Sequence, residues 1–192
     1  LPHQQSKYEI KDSYFKFIQS DAFDSDHSKG TIINSVFTDI GNDVLDFSGS
    51  ISELAEISIS GVGDKVLSAG EMSKISGKNI DIINAEIGIT SKDLSEVSLS
   101  NVNISDTKLG FAVFQKKAEY GVGKAKITGL KMKNVDVVHL VELDSTLTLN
   151  GKDLERKLYE TRRKIEKECL KSNLNQFFIC SFSSKSIIYK GM

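Results

Sequence analysis

Tryptophan is absent from the 192 residues, proline occurs once, and cysteine occurs twice, as Cys169 and Cys180. Without tryptophan, the broad aromatic platforms that stack on sugar rings are scarce. Two cysteines so close in sequence can pair or stay reduced, and they fix no redox compartment. No run of about 18 apolar residues occurs, so no segment reads as a membrane-spanning helix. Arginine is missing from residues 1–151, and all three arginines, Arg156, Arg162 and Arg163, come later. Residues 1–151 carry 21 acids against 15 lysines, a net of −6. Residues 152–192 carry 10 basic and 5 acidic residues, a net of +5. An acidic segment without arginine is a poor match for a polyanion, so nucleic acid is not expected as a partner. The change of charge at 151/152 predicts two parts, 1–151 and 152–192. The opening LPHQQSKYEI has neither an initiator methionine nor a signal peptide, which suggests a longer chain with neighbouring domains.

What is abundant is a repeat. Phe15, Phe37, Ile59, Ile82, Ile104 and Met132 follow one another at spacings of 22, 22, 23, 22 and 28. Five residues before each stand Ile10, Ile32, Leu54, Gly77, Leu99 and Ile127, and three after stand Ile18, Ile40, Val62, Ala85, Thr107 and Val135. A third series is Phe23, Leu45, Leu67, Ile89 and Phe111. Within each unit apolar and polar residues alternate, as in EVSLSNVNIS, which is the periodicity of a strand. Units this short leave no room for the helix that a crossover in an ordinary parallel sheet requires. The chain is therefore expected to coil upon itself as a right-handed parallel β-helix (a solenoid) of about six turns. The longer spacing falls where QKKAEYGVGK adds a loop.

Polar residues at the corners form a second series, Asp12, Asn34, Glu56, Asn79 and Asn101. Asn and Asp accept left-handed backbone angles and bond neighbouring amides, so these positions read as structural corners. After Gly151 the period changes. In KDLERKLYETRRKIEKECLKSN, Leu154, Leu158, Thr161, Ile165, Cys169 and Ser172 fall on one face of a helix. This amphipathic helix and two short strands after it are expected to cap the open edge of the coil. A basic amphipathic helix also suits a membrane surface, nucleic acid or a partner.

The three-strand turns, the asparagine corners and the apolar stacks resemble the right-handed parallel β-helix, or pectin-lyase-like, superfamily over about residues 8–150. GDKVLSAGE (63–71), IGITSKDLS (87–95) and GFAVFQKK (110–117) look more narrowly like a β-helix segment of bacterial proteins that carry a spore-coat-protein-H-like kinase module. The resemblance implies polysaccharide binding or cleavage. In its lyases a basic residue removes a proton beside a uronate carboxylate, often with calcium; in its hydrolases carboxylate pairs act.

The residues offer candidates for each chemistry. With Phe23, Leu45 and Leu67 pointing inward, Asp24 and Asp46 point out one turn apart, and Asp26 lies on the same face. Asp43 sits in the preceding turn, beside Asp21 and Asp64. Carboxylates that close repel one another unless something compensates. Three readings stay open: solvated turn acids, a Ca²⁺ site at Asp24, Asp26 and Asp46, or acid–base catalysis. Lys92, Lys116 and Lys117 follow the same stack in later turns, and Glu71 and Asp93 continue the face. The catalytic candidates are Asp24, Asp46 and Lys92. The ligand-binding candidates are Asp26, Asp43, Glu71, Asp93, Lys116 and Lys117. His3, His27 and His139 have no zinc spacing, GVGK lacks the rest of a phosphate loop, and no G-x-S-x-G elbow occurs.

The sequence alone therefore leads to a non-catalytic module of a larger extracellular or cell-surface protein, presenting a flat face to a glycan or protein partner. The alternative is a polysaccharide lyase or hydrolase using the acidic face, with Ca²⁺. Neither a cofactor nor a membrane span is otherwise expected.

Overall fold

A computed structural model describes residues 6–154 of the chain. Those residues are all-β, with no helix among them, and their strands stack in a solenoid-like arrangement. The first lap is built of β1 (Ser6–Lys11), β2 (Tyr14–Ile18) and β3 (Phe23–Asp26). The second is β4 (Ser28–Ile40) and β5 (Leu45–Ser48). The next three laps are single long elements that bend round their corners: β6 (Ile51–Gly70), β7 (Lys74–Lys92) and β8 (Glu96–Phe114). Then come β9 (Lys124–Thr128), β10 (Lys131–Val141), β11 (Thr146–Leu149) and the short β12 (Lys152–Asp153). Each lap pairs in parallel with the next, in the order β1-β4-β6-β7-β8-β9-β11, while β10 returns to pair with β8.

The register follows the apolar repeat. Ile10, Ile32, Leu54, Gly77, Leu99 and Ile127 are successive lap neighbours. So are Phe15, Phe37, Ile59, Ile82, Ile104 and Met132, and Phe23, Leu45, Leu67, Ile89 and Phe111. A shift of one residue would turn each of these side chains to the opposite face, which is why the register is so strongly specified. Ile32, Phe37 and Phe111 are fully buried, and the Phe15 and Phe37 rings stack with centroids 4.7 Å apart. The last member departs from expectation: Met132 keeps its register but is 39% exposed.

The corners explain how so narrow a coil turns without loops. Asp12, Asn34, Glu56, Asn79 and Asn101 all have left-handed backbone, with φ between 46° and 58°. Their side chains bond from lap to lap: Asn34 Nδ2 donates to Asp12 Oδ1 at 2.6 Å, and Asn101 Nδ2 to Asn79 Oδ1 at 3.0 Å. A second left-handed column, not anticipated, runs through Phe17, Asp39, Gly61, Asn84, Asp106 and Asn134. Inside a third corner lies a buried serine ladder. The Ser28 N–H donates to Ser50 Oγ at 3.0 Å, the Ser50 N–H to Ser73 Oγ at 3.0 Å, and the Ser73 N–H to Ser95 Oγ at 3.1 Å. Corner amides that leave the strand ladder must find acceptors, and here a small hydroxyl from the next lap supplies one.

The helix expected to begin near Lys152 does not start there. Lys152–Asp153 form β12, antiparallel to β11, across a turn in which Asn150 and Gly151 both have positive φ. Asn-Gly is the favoured pair for such a two-residue hairpin. Asn150 also accepts the Leu130 N–H at 2.9 Å and donates to the Leu130 carbonyl at 3.1 Å. The remainder of the expected helix, the two strands after it and both cysteines lie outside the described residues.

Candidate functional site

The third strand of each lap presents an outer face that carries Asp24, Asp46 and Lys92 of the expected site residues. Asp24, Asp46, Ser68, Thr90 and Ala112 form one column in register. Parallel pairing makes their side chains point the same way, about 4.8 Å apart. The lower part of this face is charged and the upper part apolar. Lys65 is followed in register by Ile87 and Leu109, Thr90 by Ala112 and Leu140, and Lys92 by Phe114. Ile87, Leu109, Ala112, Phe114 and Leu140 form a second buried cluster outside the coil. Sequence reasoning missed it: Ala112 and Phe114 sit in the outward half of the strand period, while Ile87 and Leu109 stand two residues before the inward Ile89 and Phe111 and so read as coil interior.

At the charged end Lys65 is held between two carboxylates. Its Nζ lies 2.9 Å from Asp43 Oδ1 and also contacts Asp64. Asp43 is 4% exposed, and its Oδ1 also accepts the Lys65 N–H at 3.1 Å. Burial pushes the Asp43 carboxyl up to about 7, against the pull of the Lys65 ammonium and with the help of Asp64. Burial works to lower the Lys65 ammonium, but Asp43 and Asp64 outweigh it and leave the group raised. Lys65 was not among the expected site residues; its signal was its place one lap beyond Asp43.

Lys92 differs from Lys65. Its Nζ donates to Ser68 Oγ at 2.7 Å and makes no ion pair among the described residues. Burial lowers its pKa, and Lys65 and Lys116 add to this against the opposing field of Asp46. Near it, Asp46 Oδ1 and Thr90 Oγ1 are buried with no hydrogen-bond partner among the described residues. Asp24 is exposed at the open end of the column, and burial, Asp46, Asp26 and Asp21 together raise its carboxyl. Asp26 is exposed and pairs with Ser48 in the next lap, outside this column. Among the described residues no three His, Cys, Asp or Glu side chains are placed to share a metal ion.

The remaining expected residues gather at the neighbouring corner. Asp93 is fully buried, and its Oδ1 accepts two successive backbone N–H groups, from Lys116 at 2.6 Å and Lys117 at 2.7 Å. Glu71 Oε1 receives the Lys117 ammonium, and the Tyr120 hydroxyl donates to Glu71 Oε2 at 3.4 Å. The hydrogen bond from Lys117 holds the Glu71 carboxyl below its usual range, despite partial burial. Glu71, Met72, Asp93 and Leu94 all have positive φ. In bulky residues such as Met72 and Leu94 this conformation stores strain.

Comparison with known proteins points elsewhere than the pectin-lyase resemblance. A family model described as glutamine amidotransferases class-II matches residues 92–192, just over half of the chain. A ferredoxin-dependent glutamate synthase of Antithamnion sp. is 57% identical over 42 residues, which is 20% of this chain and 3% of that protein. The large chain of an NADPH glutamate synthase of Azospirillum brasilense is 48% identical over 44 residues, which is 23% of this chain and 3% of that protein. The chain thus spans about 3% of the length of these relatives. No solved structure matches.

These matches overturn several expectations. The kinship is with amidotransferases, not with pectin-lyase-like proteins or with proteins carrying a spore-coat-protein-H-like module. The earlier resemblance rested on strand periodicity and stacking, which specify a coil and carry no chemistry. The non-catalytic module that presents a face to a glycan or protein partner, and the polysaccharide lyase or hydrolase, are both withdrawn on the same finding. The relatives are enzymes, which corrects the leaning toward no activity. The extracellular or cell-surface expectation falls too, since it rested on the pectin-lyase resemblance that the amidotransferase match replaces. Of the expected site residues, Lys92, Asp93, Lys116 and Lys117 lie within the matched segment; Asp24, Asp26, Asp43, Asp46 and Glu71 precede it.

Proposed function

We propose, from the premise that this chain belongs to the class-II glutamine amidotransferases, that it forms part of an enzyme that takes the amide nitrogen of glutamine. The observation that carries the reading is the family match over residues 92–192. The relatives' names add direction, since both are glutamate synthases, one dependent on ferredoxin and one on NADPH. The reaction class is amide cleavage, in which glutamine and water give glutamate and ammonia, with the nitrogen passed to an acceptor.

The matched segment joins the last laps of the coil to residues 152–192, so the division proposed at 151/152 separates two parts of one matched unit. The coil supplies a stiff support: a right-handed winding of about six laps is the reading favoured by the near-universal hand of parallel connections. Neighbouring domains of a longer chain are part of this reading, given how little of the relatives' length is covered.

The test uses the full-length product of the reading frame that encodes this chain. Incubated with L-glutamine, it is expected to release glutamate and ammonia, measured by chromatography and by an enzyme-coupled ammonia assay. A folded full-length protein that neither binds nor cleaves glutamine overturns the proposal.

A further inference from the structure

The first lap, β1 to β3, ends the coil on one side. Its strands pair only with the second lap, β1 and β2 with β4 and β3 with β5, so among the described residues their other edges meet no strand. Ile10, Phe15, Ile18 and Phe23 are half-buried there, whereas their lap neighbours Ile32, Phe37, Ile40 and Leu45 are at most 1% exposed. The lap is also rich in aromatic residues: Tyr8, Tyr14, Phe15, Phe17 and Phe23 are two of the five tyrosines and three of the ten phenylalanines of the whole chain. Two of them face solvent, Tyr14 at 62% and Phe17 at 72% exposure. Phe17 is the more telling. Its φ of 57° puts it in the left-handed column whose later members are Asp39, Gly61, Asn84, Asp106 and Asn134, all types that accept this conformation more easily. A bulky ring at such an angle is strained, and its exposure leaves the strain without compensating burial inside the coil.

We propose that the first lap is an interface between two copies of this chain, stacked end to end about a two-fold axis, with Tyr14 and Phe17 as its aromatic anchors. Unpaired strand edges are templates for further pairing, and aromatic side chains are enriched at the centre of interfaces. A two-fold axis across the coil sets β2 antiparallel to β2 of the second copy, and sets β1 opposite β3. One register of the two β2 strands places Tyr14 of each copy beside Phe17 of the other, the reciprocal contact that such an interface requires. The charges fit the second pairing. β1 carries Lys7 and Lys11 against Glu9, whereas β3 carries Asp24 and Asp26 and no cation, with Asp21 just before it. Strands of opposite net charge therefore face each other twice. Burial and the neighbouring Asp46, Asp26 and Asp21 hold the Asp24 carboxyl above its usual range, a crowding that a β1 lysine of the second copy relieves. The pairing closes on itself, so it covers the open edge without leading to open-ended aggregation. The proposal stands apart from the glutamine reading and does not depend on it.

The experiment is sedimentation velocity on the full-length protein over about a hundredfold range of concentration, beside melting curves at the lowest concentration. Wild type is expected to form a dimer as concentration rises. Phe17→Asn is expected to weaken that dimer about tenfold or more. Its melting temperature should hold or rise, since asparagine suits the backbone angle. The charge arm uses Lys7→Glu with Lys11→Glu in one variant, and Asp24→Lys with Asp26→Lys in another. Each alone sets like charges across the interface and should stay monomeric, while a mixture of the two should dimerise, because both facing pairs are then opposite in sign. Wild type that is monomeric throughout overturns the proposal, as does a dimer indifferent to Phe17→Asn. A monomer whose Phe17→Asn variant melts lower overturns it in favour of another part of the same polypeptide covering this end. A mixture that associates no better than either charge variant overturns the stacking of β1 on β3.

Discussion

Asp43 shows how a single carboxyl can tie the coil's stability to pH. Burial raises its pKa from 3.8 to about 7, so the folded state binds its proton more tightly than the unfolded state does. That contribution is complete below the ordinary carboxyl range and is lost as pH rises through about 7. Asp43→Asn removes the titration, since a neutral amide takes its place. The melting temperature of wild type relative to Asp43→Asn is therefore expected to fall between pH 5 and pH 8; a constant difference across that range would show that the carboxyl does not titrate there. Asp43 was recognisable in the sequence as one of several clustered acids. Its pairing with Lys65 was not singled out, because the amine reaches across from the following lap and only the register brings the two together.

The corner ladders belong to the scale of the element. Asn101 has φ 52° and donates to Asn79. Alanine in that conformation carries a steric penalty that asparagine partly avoids, so Asn101→Ala is expected to cost about 1–2 kcal/mol in urea unfolding. Asn101→Gly keeps the backbone angle accessible and should cost clearly less; equal losses would mean that the hydrogen bond, and not the backbone, sets the corner. The five corners named from sequence all carry left-handed geometry; Asn and Asp announce it at four of them, and Glu56 follows from the spacing alone. The second column carries the same signal in Asp39, Asn84, Asp106 and Asn134, with Gly61 equally at ease in that conformation, but Phe17 at its head gives no such sign and the series was not singled out. The serine ladder escaped notice because serine is plentiful throughout and its buried members look like any others.

For the whole molecule, the apolar stacks are the main support. Leu67 is 3% exposed between Leu45 and Ile89. Leu67→Asp places an unpaired charge in that stack and is expected to abolish cooperative folding, seen as loss of the β signal in circular dichroism. Wild-type-like melting would contradict the register. The all-β stacking of laps and its register were legible in residues 6–154, because a side-chain period of two and a lap of about 22 residues leave few alternatives; the hairpin at Asn150–Gly151 and the second apolar cluster were not. The activity was not legible. The acids and lysines that invited a polysaccharide chemistry are in part internal ion pairs of the coil, Asp43 with Lys65 and Glu71 with Lys117. The family relationship runs on through residues 155–192, where no strand repeat guides the eye.

The serine ladder has one more implication. Each hydroxyl serves an amide of its neighbour below, and the same arrangement recurs three times running. A floor can thus be added or removed as a whole, with each severed serine bond remade to an identical group. Change in the height of this tower comes in whole storeys, and a deletion of part of one leaves mismatched joints on both sides of the cut.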